Sequence, residues 1–329
     1  MRAGGRERRS GRWRLARAIA AGVLALSAAG AGAEPAIDAP AAAPEGHRIT
    51  LAQGAGRAPV TLYYEEHGSG PPLLLLHGLG ESTFTWHDVL PALAARHRVI
   101  ALDLKGFGRS DKPDDGAYGA DDQGALVARF ILDRSLDRLT LVGHSFGGTV
   151  ALRTMLAKDP GAGERIARIA VIGAPALPRA TARHLDLVKT PIIPDALASS
   201  LSPETLARLL LREAMGGPDN VREDDVAGYA APYSDAAALR AFFVTARTIV
   251  NERNAQTIAR RYRSIDVPVL ALWCRDDPIV PLKAGRRLVA ALPRAKLTVL
   301  EGCHHLPQHE KPEALARMLT TFAGTGRFP

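Results

Sequence analysis

Residues 139–152 read LTLVGHSFGGTVAL, and they contain a serine in the pattern G-x-S-x-G at Gly143–Gly147. The apolar run Leu139–Val142 predicts a buried strand, and the residues from Thr149 onward predict a helix. Between a strand and a helix this pattern marks a nucleophile, because a sharp turn presents the hydroxyl of Ser145 above the edge of a sheet. Glycine on both sides leaves the room that such a turn needs. The alternative is a tight Gly/Ser turn that has no catalytic role.

Short apolar runs on both sides of this segment alternate with amphipathic stretches of helix length. The alternation predicts a mainly parallel, eight-stranded sheet with helices on both faces. Two runs separated by a glycine-containing turn, Arg48–Leu51 and Val60–Glu65, predict an antiparallel hairpin at one edge. The other strands are predicted at Leu73–Leu76, Val99–Leu102, Leu139–Val142, Ile169–Ile172, Val267–Trp273 and Leu297–Leu300. Helices are predicted at Trp86–Arg96, Gln123–Leu132, Thr149–Ala157, Ala284–Ala291 and Glu313–Phe322.

The interval 175–263 interrupts the alternation. It contains helical patterns such as Pro203–Met215 and Ala236–Ile249 but no run typical of a strand. Because strands and helices alternate again after it, we interpret it as a helical cap inserted into a core formed by residues 47–174 and 264–326. A boundary to a separate C-terminal domain is the alternative.

The positive charge of the chain is concentrated at its start. The formal net charge is +8, and residues 1–33 carry seven arginines and one glutamate, so they contribute +6 and leave +2 for the rest. The nearly neutral remainder gives no indication of nucleic-acid binding. The basic start is followed by an Ala/Leu/Val-rich run and by Ala31-Gly32-Ala33, which predicts a signal peptide at 1–33. A flexible Ala/Pro-rich linker is expected at 34–46.

A signal peptide at 1–33 indicates export of the protein to the periplasm or the medium. The alternative is tethering by an uncleaved N-terminal segment, although the apolar run falls short of the ~20 residues that a spanning helix needs. Apart from that case, no stable membrane partner is expected.

A serine hydroxyl needs a base to take its proton and an acid to orient that base. The known chain order for this motif is serine, acid, histidine. The segment after the strand Val267–Trp273 carries Asp276 and Asp277, and the segment after the last strand carries His304 and His305. Both segments follow strands that end at the same sheet edge as the serine. The chain order alone leaves one residue of ambiguity in each role.

Over about residues 47–325 the chain resembles the large α/β-hydrolase family of capped serine esterases, C–C bond hydrolases and cofactor-free haloperoxidases. The resemblance rests on four segments. They are His77-Gly-Leu-Gly80, Asp103-Leu-Lys-Gly-Phe-Gly-Arg-Ser110, Cys274-Arg-Asp-Asp-Pro-Ile-Val-Pro281 and His304-His-Leu-Pro-Gln-His-Glu310. Alignment with the family patterns favours Asp277 as the acid and His305 as the base. Two departures are Cys274 and His304, which stand where the family usually has glycine.

The resemblance implies an ester hydrolase with Ser145, His305 and Asp277 as its catalytic triad and with no metal or organic cofactor. The backbone N–H groups of Phe146 and Leu79 would form the oxyanion hole. The expected substrate is a small or medium-sized carboxylic ester. Two alternatives are hydrolysis of a C–C bond in aromatic ring-cleavage products and a binding protein that has kept the fold without catalysis.

For several other side chains the sequence predicts a role less specifically. His77 is expected to hold its loop, and surface or supporting roles are expected for His144 and His309. Substrate-lining residues are unknown. Four aromatic residues of the cap are candidates, although packing in the core is the stronger expectation for each; they are Tyr229, Tyr233, Phe242 and Phe243.

Cys274 and Cys303 are expected to lie near the ends of the last two strands, which are neighbours in this fold. An oxidising compartment would allow a disulfide between them. Adjacent parallel strands often present poor disulfide geometry, so the prediction is two buried thiols.

Overall fold

A computed structural model describes residues 46–54, 56–178, 180–181, 200–251 and 255–329. The predicted signal peptide at 1–33 and nearly all of the predicted linker lie outside the described residues. Within the described ranges, no helix combines the length and the hydropathy that crossing a bilayer requires.

Eight strands form one sheet with the order β1-β2-β4-β3-β5-β6-β7-β8. β1 and β2 pair antiparallel with each other, and β2 pairs antiparallel with β4, whereas the pairs from β4 to β8 are parallel. The predicted mainly parallel sheet with a hairpin at its edge is therefore confirmed. The strands are β1 His47–Leu51, β2 Val60–His67, β3 Pro72–Leu76, β4 Arg98–Leu102, β5 Leu139–His144, β6 Ile166–Ile172, β7 Val269–Cys274 and β8 Ala295–Leu300.

Helices cover both faces of this sheet. Among the described residues they are α1 Leu90–Ala94, α2 Ala120–Asp133, α3 Phe146–Met155, α4 Pro160–Glu164, α5 Pro203–Ala214, α6 Glu223–Ala230, α7 Ala236–Asn251, α8 Ala255–Tyr262, α9 Leu282–Ala291, α10 Pro307–Glu310 and α11 Pro312–Thr325. The predicted helix at Trp86–Arg96 is shorter than expected, because a 3-10 turn at Thr83–Trp86 precedes α1.

The alternation of side chains along each strand divides the core into two layers. Leu74 and Leu76 of β3 belong to the cluster that contains residues of α2, α3 and α9. Leu73 and Leu75 belong to the cluster that contains residues of α1 and α11. All four leucines are fully buried, which explains why the strand reads as an uninterrupted apolar run.

The described residues between β6 and β7 form helices α5 to α8 and two 3-10 turns, without a strand in that described part. We call residues 200–262 the helical segment. Its assignment as a separate cap with boundaries at 175 and 263 stays a prediction.

The prediction of two free thiols is wrong, because Cys274 and Cys303 form a disulfide with Cα atoms 5.3 Å apart. The argument against it assumed that both cysteines lie in paired parallel strands. Cys274 does end β7, but β8 ends at Leu300, and the chain then turns through Gly302 in the left-handed region at φ +65°. Cys303 therefore lies in a loop that bends back toward the end of β7.

We expect thiol titration of denatured, unreduced protein to find no free thiol and to find two after reduction. The cysteines are 29 residues apart, and closing a loop of that size stabilises a fold by about 3–4 kcal/mol in the chain-entropy model. The double variant Cys274→Ala/Cys303→Ala should therefore lower the free energy of unfolding by a similar amount in urea denaturation. A reducing agent should destabilise the wild type but not that variant. Two titratable thiols in the unreduced protein would contradict the disulfide.

Candidate active site

Ser145 lies in the sharp turn between β5 and α3. Its backbone adopts φ +49° and ψ −118°, and its N–H donates to the carbonyl of Ile172 at 2.7 Å. A Cβ atom at Gly143 would collide with the carbonyl of Gly147, and one at Gly147 would collide with the carbonyl of Leu76. The two glycines of the motif are thus required by close backbone packing around the serine.

His305 lies between Ser145 and Asp277. Its Nε2 is 3.0 Å from Oγ of Ser145, and its Nδ1 is 2.8 Å from Oδ2 of Asp277. The other carboxylate oxygen of Asp277 accepts from the N–H groups of Ile279 at 2.9 Å and Val280 at 2.8 Å. Because the carboxylate accepts, the proton of a neutral His305 lies on Nδ1. This tautomer leaves the lone pair of Nε2 directed at the serine hydroxyl.

The neighbouring residues that the sequence left as alternatives point elsewhere. Asp276 is exposed to solvent. The Nδ1 and backbone N–H of His304 contact Glu310 at 2.8 and 2.9 Å. Glu310 also accepts from the N–H of Leu306 at 3.1 Å. The structure therefore brings His305 and Asp277 to the serine, and His304 and Glu310 fix the loop that carries His305.

His77 holds the loop after β3. Its Nε2 accepts from the N–H of Leu104 at 2.9 Å, so its Nδ1 carries the proton and donates to the carbonyl of Gly78 at 2.8 Å. Burial lowers the pKa of His77, which agrees with a neutral ring. Both ring nitrogens are thus engaged with backbone, as expected for a supporting residue.

Asp103, which directly follows β4, also fixes the loop after β3. This buried carboxylate accepts from the N–H groups of Thr83 and Arg109, each at 2.7 Å. The hydroxyl of Ser110 donates to the carbonyl of Asp103 at 2.6 Å. The D-x-x-G-x-G-x-S segment therefore fixes backbone and does not reach the serine.

The two backbone donors named from the sequence lie next to the serine. Phe146 is the first residue of α3, so its N–H has no partner within that helix. Leu79 lines the same cavity as Ser145 and His305.

Glu81 is a buried site residue that the sequence analysis missed. One of its oxygens accepts from the N–H of Gly78 at 2.8 Å, and the carboxylate contacts Nδ1 of His144 at 2.9 Å. The Nε2 of His144 donates to the carbonyl of His305 at 2.8 Å. The only signal in the sequence is an acid directly after the H-G-x-G pattern, and that position does not reveal its partner.

A cavity of about 210 Å³ opens at Ser145 and His305. Its described lining is mostly apolar and comes from the core and from the helical segment. Of the four aromatic candidates, Tyr229, Tyr233 and Phe242 line the cavity and Phe243 does not. Tyr233, Phe242 and Phe243 all belong to the core cluster, as the expectation of core packing had it. Among the described residues that line it, apart from His305, the acidic or basic side chains are Glu81 and Glu213.

A polar cluster, in which Asp225 is fully buried and Arg222 is half exposed, joins the helical segment to the core. Arg222 donates to Asp225 at 2.7 and 2.8 Å and to Asp88 at 2.6 Å. Asp88 also accepts from His309 at 2.9 Å, and the other ring nitrogen of His309 contacts the hydroxyl of Tyr229 at 2.8 Å. Burial alone would raise the pKa of Asp88, but hydrogen bonds from His309 and Arg222 hold it below its ordinary value.

His87, Asp88, Asp225 and His309 place potential metal-ligand atoms within 4.8 Å of one another. Both carboxylates, however, already accept from the guanidinium of Arg222. The single positive charge of Arg222 thus offsets part of the negative charge of the two carboxylates, whose oxygens are already engaged. We interpret this cluster as a latch between the helical segment and the core.

The sheet topology, with a serine at the turn between β5 and α3, defines the class of hydrolase folds with a central parallel sheet. A family model described as alpha/beta hydrolase fold matches residues 71–312. The chain belongs to that family.

Curated relatives cover most of the chain. An uncharacterized protein of Mycobacterium tuberculosis is 30% identical over 78% of this chain and 76% of its own length. The 2-hydroxymuconate semialdehyde hydrolase of Pseudomonas sp. strain CF600 is 26% identical over 87% of this chain and 96% of its own. Among solved structures, a thermophilic esterase from Thermogutta terrifontis aligns with a TM-score of 0.68 and 20% identity, covering 82% of this chain and 96% of that one. The last likeness shows the fold alone.

The latch leads to a stability prediction. Asp225 is fully buried and accepts twice from Arg222. In Asp225→Asn an amide donor would face the guanidinium, so we expect the free energy of unfolding to fall by about 1–3 kcal/mol in urea denaturation. The matched control is Asp224→Asn, since Asp224 is exposed in the same helical turn. Equal stability of the two variants would contradict the latch.

Proposed function

We propose that the protein is a serine hydrolase that cleaves neutral carboxylic esters with small or medium-sized acyl groups. The observation that carries this proposal is the contact of His305 with Ser145 on one side and with Asp277 on the other. A hydroxyl, an imidazole and a carboxylate in this order supply a nucleophile, a base and the group that orients the base.

In the proposed reaction His305 takes the proton of Ser145 as the serine oxygen attacks the ester carbonyl. Asp277 stabilises the imidazolium that forms. The imidazolium then gives its proton to the leaving alkoxide, and an acyl-enzyme remains. Water, deprotonated by His305, attacks the acyl-enzyme, and the imidazolium then returns that proton to the oxygen of Ser145 as the acid is released.

The negative oxygen of each tetrahedral intermediate needs donors that are already in place. We assign this role to the N–H groups of Phe146 and Leu79, which belong to the start of α3 and to the loop held by His77. Each donor of this kind typically contributes about 3 kcal/mol to transition-state stabilisation. Only proline lacks this N–H, so any other side-chain replacement at these two positions leaves the donor in place.

The proposed substrate class follows from the cavity. A volume of about 210 Å³ lies below the roughly 300–1,000 Å³ of pockets that hold drug-sized ligands, which favours a small or medium-sized acyl group. The apolar described lining favours an aliphatic or aromatic acyl group. Apart from His305, the described lining offers no basic side chain that could pair with a carboxylate on the substrate, and the charge of Glu213 would repel one.

Hydrolysis of a C–C bond is the second candidate, favoured by the relative named 2-hydroxymuconate semialdehyde hydrolase. The muconate in that name is an anion, and apart from His305 the described cavity lining offers it no basic side chain. A binding protein without catalysis is a third candidate. The short contact between His305 and Ser145 supports an enzyme instead.

We also propose that the protein is exported, with residues 1–33 as its signal peptide. The bond between Cys274 and Cys303 supports this proposal, since disulfides persist mainly in oxidising compartments.

The triad is tested by matched pairs of variants. Ser145→Ala should lower kcat/KM for p-nitrophenyl butyrate by about 10⁴-fold or more and abolish labelling by a fluorophosphonate. Asp277→Asn should lower it by about 10³–10⁴-fold because the wrong tautomer of His305 is then favoured.

The control for Asp277→Asn is Asp276→Asn. This variant removes an exposed carboxylate next to the site and should leave kcat/KM within about threefold of wild type. The assignment fails if Ser145→Ala keeps wild-type turnover, or if the two aspartate variants exchange their effects.

The substrate class is tested with p-nitrophenyl acetate, butyrate, octanoate and palmitate on the mature protein. We expect kcat/KM to peak at butyrate or octanoate and to fall at least about tenfold for palmitate, which exceeds the cavity. The anionic hemisuccinate ester should be a poorer substrate than butyrate. Turnover of a ring-cleavage product at a higher kcat/KM than any ester would favour the C–C hydrolase.

A further inference from the structure

Glu81 and His144 form a buried pair beside the proposed triad. The side chain of His144 is fully buried and that of Glu81 is 8% exposed, with Nδ1 and Oε1 2.9 Å apart. Neither residue touches Ser145 or Asp277 by a hydrogen bond in the described network. A buried charge pair costs desolvation energy, so its position next to the site calls for a physical role.

The hydrogen bonds of His144 identify its charge state. Nε2 faces the carbonyl of His305, which can only accept, and Nδ1 faces the carboxylate of Glu81, which accepts when it is ionised. An imidazole that donates from both nitrogens is an imidazolium. Burial alone would lower the pKa of His144, but Glu81 outweighs burial and raises it above its ordinary value. Burial alone would raise the pKa of Glu81, yet His144 and the N–H of Gly78 lower it to about 2.

The pair connects three separate segments of the chain. Glu81 accepts from the N–H of Gly78, which is adjacent to the proposed oxyanion donor Leu79. His144 directly precedes the nucleophile and reaches the loop that carries the base. A Cβ atom on Gly78 would lie 2.6 Å from Oε1 of Glu81 and 3.0 Å from Nδ1 of His144, so the backbone packs directly against the pair.

His305 is held by all four of its polar groups. Its side chain contacts Asp277 and Ser145, and its backbone N–H donates to the carbonyl of Ala214 at 2.9 Å. The remaining group, its carbonyl, accepts from His144 at 2.8 Å. Without that bond the backbone of the base would lose one of the contacts that fix its distance from the serine.

We propose that Glu81 and His144 are positioning residues, which act as a charged pair to fix the loop of Leu79 and the backbone of His305 at one distance from Ser145. The proposal rests on the proposed function, because it concerns the same triad. The pair acts through the geometry of the donors and the base and makes no contact with the substrate carbonyl. A displacement of about 1 Å between reacting groups can reduce a rate about 100-fold.

The kinetic test compares two replacements of Glu81 on p-nitrophenyl butyrate. Glu81→Ala removes the acceptor for Gly78 and leaves His144 without its counter-charge. We expect kcat to fall about 10- to 100-fold while KM stays within about threefold. Glu81→Gln keeps an acceptor for Gly78 and a hydrogen-bonding partner for His144, so it should recover kcat to within about fivefold of wild type.

His144→Ala should reduce kcat as much as Glu81→Ala, and the double variant should be no slower than either single variant, because both residues act as one unit. The control is Glu313→Gln, which changes an exposed carboxylate on α11 and should leave kcat unchanged. Wild-type kcat in Glu81→Ala, or additive losses in the double variant, would overturn the proposal.

A spectroscopic test is independent of any substrate. In ¹⁵N-labelled protein at about pH 7 both ring nitrogens of His144 should carry protons, and in Glu81→Gln one of them should lose its proton. A neutral His144 in the wild type would overturn the charged pair. If the wild type hydrolyses no ester while His144 is an imidazolium, the proposed function fails and the pair stands.

Discussion

The backbone conformation of Ser145 is the constraint on which the site depends. A non-glycine residue at φ +49° costs on the order of 1–3 kcal/mol, and it persists only where the surroundings fix it. Here β5, the start of α3 and the carbonyl of Ile172 hold the turn, and the glycines at 143 and 147 let neighbouring backbone approach. The fully buried strands around it supply the rigidity that keeps the serine in this position.

The polar groups near that turn are held by specific partners. Asp277 accepts from two backbone N–H groups as well as from His305, and Glu81 accepts from Gly78 as well as from His144. Such bonds compensate the desolvation of buried carboxylates. They also restrict each loop to one arrangement, since a displaced partner would leave a charge unpaired. The disulfide between Cys274 and Cys303 adds a covalent constraint close to Asp277 and His305.

Sequence reasoning succeeded where local patterns carry the information. The strands of the parallel sheet read as apolar runs because they are buried on both faces, and β3 illustrates this with four fully buried leucines. It failed for the cysteines, because the path of the loop after β8 depends on a left-handed Gly302 that strand pairing does not predict. It also missed Glu81, whose partner His144 lies 63 residues further along the chain.

The sequence by itself determined the fold class, the position of the turn at Ser145 and two short segments with candidate acids and bases. Periodicity and glycine spacing are local properties, so they can be read without coordinates. Only the tertiary structure decided that His305, and not His304, contacts the serine, and that Asp277, and not Asp276, contacts His305. Neighbouring residues of a loop point in different directions, and each direction is set by contacts with segments distant in the chain.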